Sequence, residues 1–397
     1  MEEKTALLWP FKYNAFEETF EIQIKWIAKA LQSHGYLVYK PYNFECKIDD
    51  VQDPPWSPDW ETSLLPPSAS FDLTVYSHSD IGEIKNRERH GRAGNGYKDF
   101  PPPTIKTDET WVFKGCAPPE PLSATLDPLG YGSYSSITYE KPPFESVRDE
   151  DWVKFYDTEV KEWIKNNRSK WGNDTFQKKL TEEEDDYYLI LAQCPHDAVV
   201  TRQDFGGHFE TIYFIIEELL RIDNRRKIIV KLHPYTNGAL TIREHKTEGA
   251  EPADYNNKIN PLLTRPIVVS HGFPEDADIA GPLKGHLERM GKQVKVYKGF
   301  ESIHSLIAKA KCVFTGNSGA GYDAMMHDKP IISFSQPEYH WVTYDLRKTC
   351  DIRRAIQTEE WFQPDLAKKF LYWWTKKYCF YNLETATRRV EELTKGK

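Results

Sequence analysis

The second half of this chain repeats one pattern, and that pattern narrows the fold more than any other feature. Short strand-like runs, most of them apolar and each closed by a polar or glycine-bearing turn, occupy 187–192, 228–232, 266–270, 293–297, 312–315 and 330–334. Helical periods lie between them at 209–222, 302–310 and from 321 onward. Continuous apolar runs are the signature of strands buried on both faces, and their alternation with helices calls for a parallel sheet covered on both sides. Open sheets of this kind bind ligands beyond the carboxyl ends of their strands. The residues that follow each run are therefore the first candidates for a site.

The first half opens with the same rhythm. A strand at 4–10 precedes a helix at 16–33 with apolar positions Phe20, Ile24, Ile27, Ala28 and Leu31. Gly35 reads as its C-cap, and 36–39 resumes as a strand. From 41 to 147 proline clusters interrupt the pattern, with short strands expected at 71–76 and 110–113 and an exposed loop at 85–97. Long irregular stretches of this kind often carry a binding surface. Residues 146–180 read as one or two helices, through Trp152, Phe155, Tyr156, Val160 and Trp163. The expected class is α/β, in two Rossmann-like domains. The expected division is 1–183, then 184–365, with 366–397 as C-terminal helices.

A chain of 397 residues exceeds the length that one core usually serves. Lys plus Arg number 52 and Asp plus Glu 60, for a net charge of -8, which argues against nucleic acid as a partner. No stretch approaches the roughly 20 apolar residues of a membrane span, and the acidic opening Met1-Glu2-Glu3 does not read as a secretory signal. The expected location is cytoplasmic. The six cysteines are scattered, without a CxxC pair or zinc spacing, so reduced thiols are expected and no metal site.

Four strand ends carry the candidate chemistry. Thr315-Gly316-Asn317-Ser318-Gly319-Ala320-Gly321 joins a strand to a helix, where small residues admit a ligand and helix amides suit a phosphate. An ordinary tight turn capped by Ser318 is the other reading. Lys231-Leu232-His233-Pro234 places a histidine at a strand end, held by the proline that follows; a satisfied structural histidine is the alternative. Lys231 and Leu232 face opposite sides of the strand, so this geometry does not require Lys231 at the same site. His271 repeats the logic at the next strand end. Gln193-Cys194-Pro195-His196-Asp197 offers a carboxylate that can act as nucleophile, base or hydroxyl acceptor, or simply make a turn. Tyr339-His340-Trp341 can stack on a base or sugar, or be core. Glu120 lies in a proline-rich loop. The aromatic and basic segment 368–381 reads as a core-facing helix with lysines outward, or as a membrane-surface helix.

Taken in order, these motifs resemble the capsule-polysaccharide biosynthesis glycosyltransferases, which include the 3-deoxy-manno-octulosonic acid (Kdo) transferases. The resemblance is carried by Leu191 to Asp197, Val230 to Pro234, His271-Gly272, Ser302 to Leu306 and Gly316 to Ala324. In the first half Trp111 to Gly115 and Thr125 to Tyr131 look like the family's region around a catalytic acid. The resemblance implies a GT-B fold, two Rossmann-like domains facing a cleft, with the last helix returning to the first domain. It implies a nucleotide-sugar donor, CMP-linked in the Kdo case, held without metal or further cofactor. The acceptor would be a glycan, lipid-linked in one variant, which leaves room for peripheral membrane contact. His233 and Ser318 match phosphate contacts, Asp197 matches a proposed nucleophile, and Lys231, His271, Asn317, Gly319 and Asp323 complete the nucleotide set. The family carries glutamate where this chain has Lys114, and Glu120 is the substitute acid/base. Aspartate at 323 also replaces the usual glutamate. A UDP- or GDP-sugar donor, a sugar-nucleotide epimerase or hydrolase, and a non-catalytic glycan- or nucleotide-binding protein remain open on these residues.

Overall fold

The computed structural model describes residues 4–9, 17–40, 70–77, 106–117, 120–168, 186–193, 208–233, 280–297, 301–349 and 351–395. The chain divides into two compact units, 1–140 with 374–397, and 141–373.

The first unit is built on a five-stranded sheet of order β2-β1-β3-β4-β5. Its strands are β1 (Lys4–Trp9), β2 (Tyr36–Tyr39), β3 (Ser70–Ser77), β4 (Lys106–Ala117) and β5 (Glu120–Asp127). The first four are parallel, and β5 folds back antiparallel on β4 with a register shift between Gly115 and Ala117. Ala6, Leu7 and Leu8 are all fully buried, as a strand covered on both faces requires. The helix Glu17–Ser33 turns Ile24, Ile27, Ala28 and Leu31 into the core, and Gly35 follows it at φ +81°, the left-handed cap glycine adopts without strain.

The C-terminal segment completes this unit. Phe380 exchanges two backbone hydrogen bonds with Ala124, at 2.8 and 2.9 Å, on the far side of β5. Ala386 and Val390 of the helix Leu383–Lys395 then join the core formed by the helix Glu17–Ser33 and the sheet. Asp127, at the end of β5, is fully buried. Its carboxylate accepts from the backbone N–H groups of Leu129, Gly130 and Ser136, from Ser136 Oγ and from Tyr378 Oη, at 2.5 to 3.1 Å. That carboxylate ties the 128–136 loop to the C-terminal segment.

The second unit holds a six-stranded, wholly parallel sheet of order β11-β10-β9-β6-β7-β8. The strands are β6 (Tyr187–Leu191), β7 (Ile228–Lys231), β8 (Val294–Tyr297), β9 (Ala310–Thr315), β10 (Ile331–Ser333) and β11 (Tyr344–Asp345). Every residue of β6 and β7 is buried. The helices His208–Ile222, Ile303–Lys309 and Ala320–Met326 occur where the helical periods place them, and a further helix, Ala280–Glu288, was not expected from the sequence. The expected strand at 266–270 and loop at 85–97 lie outside the described residues. The α/β class with two Rossmann-like units stands.

The division falls at 140/141, ahead of the 183/184 read from the acidic stretch. The reason is packing: Phe144 meets Phe370 edge-on at 5.2 Å, Phe155 meets Tyr372 at 5.6 Å, and Lys369 pairs with Asp149 at 2.8 Å. Residues 144–165 therefore belong with the helix Pro364–Trp373. The lysines of that helix are not outward. Lys368 is sequestered, paired with Asp328 at 3.0 Å and placed over the rings of Trp152 and Tyr156. No helix among the described residues is long and apolar enough to cross a membrane.

Candidate functional site

In the second unit the chain runs from β6 outward to β7 and β8, then returns to the other side of β6 as β9 and continues to β10 and β11. The reversal makes the gap between β6 and β9 the topological switch point, the place where an open α/β sheet leaves a crevice for ligand. The strand ends align there. Leu191 stands in register with Lys231 on one side and Thr315 on the other, and Ser333 neighbours Thr315.

A hydrogen bond spans the switch point. Gln193, buried just beyond β6, accepts the backbone N–H of Asn317 on its Oε1 at 2.6 Å. Asn317 begins the glycine loop beyond β9, and its buried Nδ2 has no hydrogen-bond partner among the described residues. Ser318 Oγ accepts from the N–H of Ala320 at 3.2 Å, while Gly319 takes the N-cap position of the short helix Ala320–Met326. The serine thus supports the turn one residue earlier than an N-cap would.

Gly321 has a packing reason. A Cβ there would lie 2.2 Å from the ring of Tyr339. That tyrosine is 1% exposed and donates its hydroxyl to Ser318 O at 2.6 Å. Burial raises its pKa, so the hydroxyl stays a donor. Tyr339 is the floor of the glycine loop, and His340 is buried with it. Of the two readings of Tyr339, stacking platform or core, that burial supports core.

Lys231, the last residue of β7, is buried within the same unit as Asp323 and Glu301. Burial lowers its pKa to about 8, while the charges of Glu301 and Asp323 oppose the shift. The lysine therefore keeps its proton at neutral pH. Asp323 is also buried, with Oδ1 4.0 Å from His304 Nε2. His304 Nε2 must donate to Arg168 O at 2.7 Å, so its Nδ1 accepts from His327 Nε2 at 2.8 Å. Burial lowers the pKa of both rings, His327 to about 3, and both are neutral. His233 is half-buried two residues past β7.

Lys231, His233, Asn317, Ser318, Gly319 and Asp323 thus all belong to the second unit, around the ends of β7 and β9. Asp197 and His271 lie outside the described residues. Glu120 belongs to the first unit as the first residue of β5, paired with Ala117, and its side chain lies outside the description. Lys114 stands 3.9 Å over the ring of Tyr131, a cation–π contact. Residue-by-residue reading missed Gln193, His208 and Tyr339 as site-builders. Gln193 carried a signal, since it directly follows a strand; the other two depend on contacts distant in sequence.

No family model matches the chain, and no curated protein matches its sequence. Among solved structures it is similar to Thermosulfurimonas dismutans KpsC, beta Kdo 2,4 transferase, at 15% identity over 96% of this chain and 92% of that one, with a TM-score of 0.49. The beta Kdo 2,7 transferase of the same organism's KpsC gives 13% identity over 99% and 100%, with a TM-score of 0.46. The UDP-GlcNAc 2-epimerase of Neisseria meningitidis gives 12% over 99% and 100%, with a TM-score of 0.33. Likeness at these values leaves the function to be argued from the site.

Proposed function

We propose that this chain is a glycosyltransferase whose second unit binds a nucleotide sugar and whose product is a surface glycan. The observation that carries the reading is the Gln193–Asn317 hydrogen bond across the switch point, which brings two of the resembling motifs together where such sheets bind ligands. Lys231 adds a buried positive charge at the next strand end, and the Asn317 amide is a donor left over for phosphate oxygens. The resemblance of the motifs supplies the reaction class. An acceptor hydroxyl attacks the anomeric carbon, the bond from that carbon to the phosphate oxygen breaks, and the nucleotide leaves with the bonding pair. Asp197 is assigned as nucleophile or base, and Glu120 as the acid/base in place of the family's glutamate. His233 and Ser318 are assigned to the phosphate. The donor is CMP-linked in the leading form of this reading.

The test is a thermal-shift panel of CMP, UDP, GDP and their sugars, followed by mass spectrometry of donor turnover with glycan acceptors. A shift by one nucleotide, lost in His233→Ala and Asn317→Ala, is expected. Indifference to every nucleotide refutes the proposal. Binding without turnover favours the non-catalytic reading, to which the engaged Lys114 lends support.

A further inference from the structure

We infer that His208 is a positioning residue for the glycine loop, acting through Gln193 as the first link of a two-bond relay that ends at Asn317. The ladder between β6 and β7 finishes with Ala192 N–H donating to Lys231 O at 2.9 Å. The next backbone donor, Gln193 N–H, is given to a side chain: His208 Nε2 accepts it at 2.8 Å. The Oε1 of the same glutamine accepts Asn317 N–H at 2.6 Å. His208 and Gln193 are 5% and 4% exposed, so both bonds are shielded from water. The first turn of the helix His208–Ile222 thereby sets where the loop after β9 stands.

The chemistry of the ring supports a dedicated role. Nε2 accepts only when it carries no proton, so the proton of the neutral ring sits on Nδ1. Nδ1 has no hydrogen-bond partner among the described residues. The ring lies against Phe209 at 5.4 Å and Phe334 at 5.7 Å. Phe334 itself donates its N–H to Thr315 O at 3.0 Å, at the end of β9. An apolar side chain would suit those two rings without stranding a buried donor. What the histidine provides there beyond packing is the acceptor for Gln193. Burial holds the ring neutral and so preserves that acceptor.

The relay deepens the proposed nucleotide site but is tested without any ligand, by hydrogen exchange resolved to single amides by fragmentation mass spectrometry. In His208→Leu both the Gln193 and Asn317 amides exchange about tenfold faster, as the loss of one shielded hydrogen bond predicts, while Leu232 is unchanged. His208→Gln, whose Oε1 can accept in place of Nε2, restores protection. Gln193→Met cuts only the second link, so Asn317 speeds up while the amide of residue 193 stays protected. This second variant decides the matter if His208→Leu does not fold. An Asn317 amide that exchanges as in wild type in the folded variants overturns the relay. Added CMP, UDP or GDP protects Asn317 further in wild type if the nucleotide reading holds; the absence of any such effect overturns that reading and leaves the relay standing.

Discussion

Acid should unfold the second unit through histidines that its core keeps neutral, and His208 gives the cleanest measure. Burial lowers its pKa to about 3, against about 6.5 in an unfolded chain. The folded-state pKa is the lower one, so the unfolded chain takes up the proton first, and stability is lost as pH falls from about 6.5 toward 3. At pH 5 the folded ring is still neutral, so the loss is set by the 1.5 pH units below 6.5, about 2 kcal/mol at 1.36 kcal/mol per unit. The same reasoning applies to His327, lowered to about 3 chiefly by burial, and to His340, lowered to about 4 mainly by burial. Each adds destabilisation of the same sign as pH falls through the same range. Urea titrations followed by tryptophan fluorescence at pH 7 and pH 5 read this directly. Wild type should lose about 2 kcal/mol more than His208→Gln over that interval, since glutamine keeps the acceptor and cannot titrate. Equal losses in the two proteins, within about 0.5 kcal/mol, would refute the claim that His208 is neutral in the fold.

Gly321→Ala should cost about 2–4 kcal/mol in urea, because its Cβ at 2.2 Å from the Tyr339 ring forces the ring away and breaks the bond to Ser318 O; a loss below about 0.5 kcal/mol contradicts the packing. Asp127→Ala strands the loop amides and the Tyr378 hydroxyl that the carboxylate serves, and should cost about 3–5 kcal/mol by the same assay. A wild-type midpoint in that variant contradicts the hub. Lys231, with its pKa lowered to about 8 by burial, is protonated at pH 7 and neutral by pH 9. Calorimetric affinity for the nucleotide that binds should therefore fall about tenfold between those pH values in wild type and stay flat in Lys231→Met; a flat wild-type profile removes Lys231 from the phosphate site.

How much of this was legible depends on the range of the forces involved. The strands of the second unit could be read because a doubly covered strand must be largely apolar, as 187–191 and 228–230 are. The glycine loop was legible as a loop, but the reason for one of its glycines was not. Gly321 makes room for Tyr339, which lies 18 positions further along and reads in isolation like a ring available for stacking. The boundary was misplaced because charge composition at 181–186 outweighed the aromatic face of 144–165, whose partners Phe370 and Tyr372 come some two hundred residues later. The same limit applies to the site. Lys231, Asn317 and Ser318 follow their strands directly, so local pattern finds them. His208 stands at the beginning of a helix and meets the site only through the backbone of Gln193, 15 residues earlier. Nothing in its neighbourhood marks it, because its contribution is one unprotonated nitrogen, and both the protonation state and the partner are set by tertiary burial. Local sequence shows which residues can reach a ligand at a strand end; the residues that hold those in place are selected by contacts the linear order conceals.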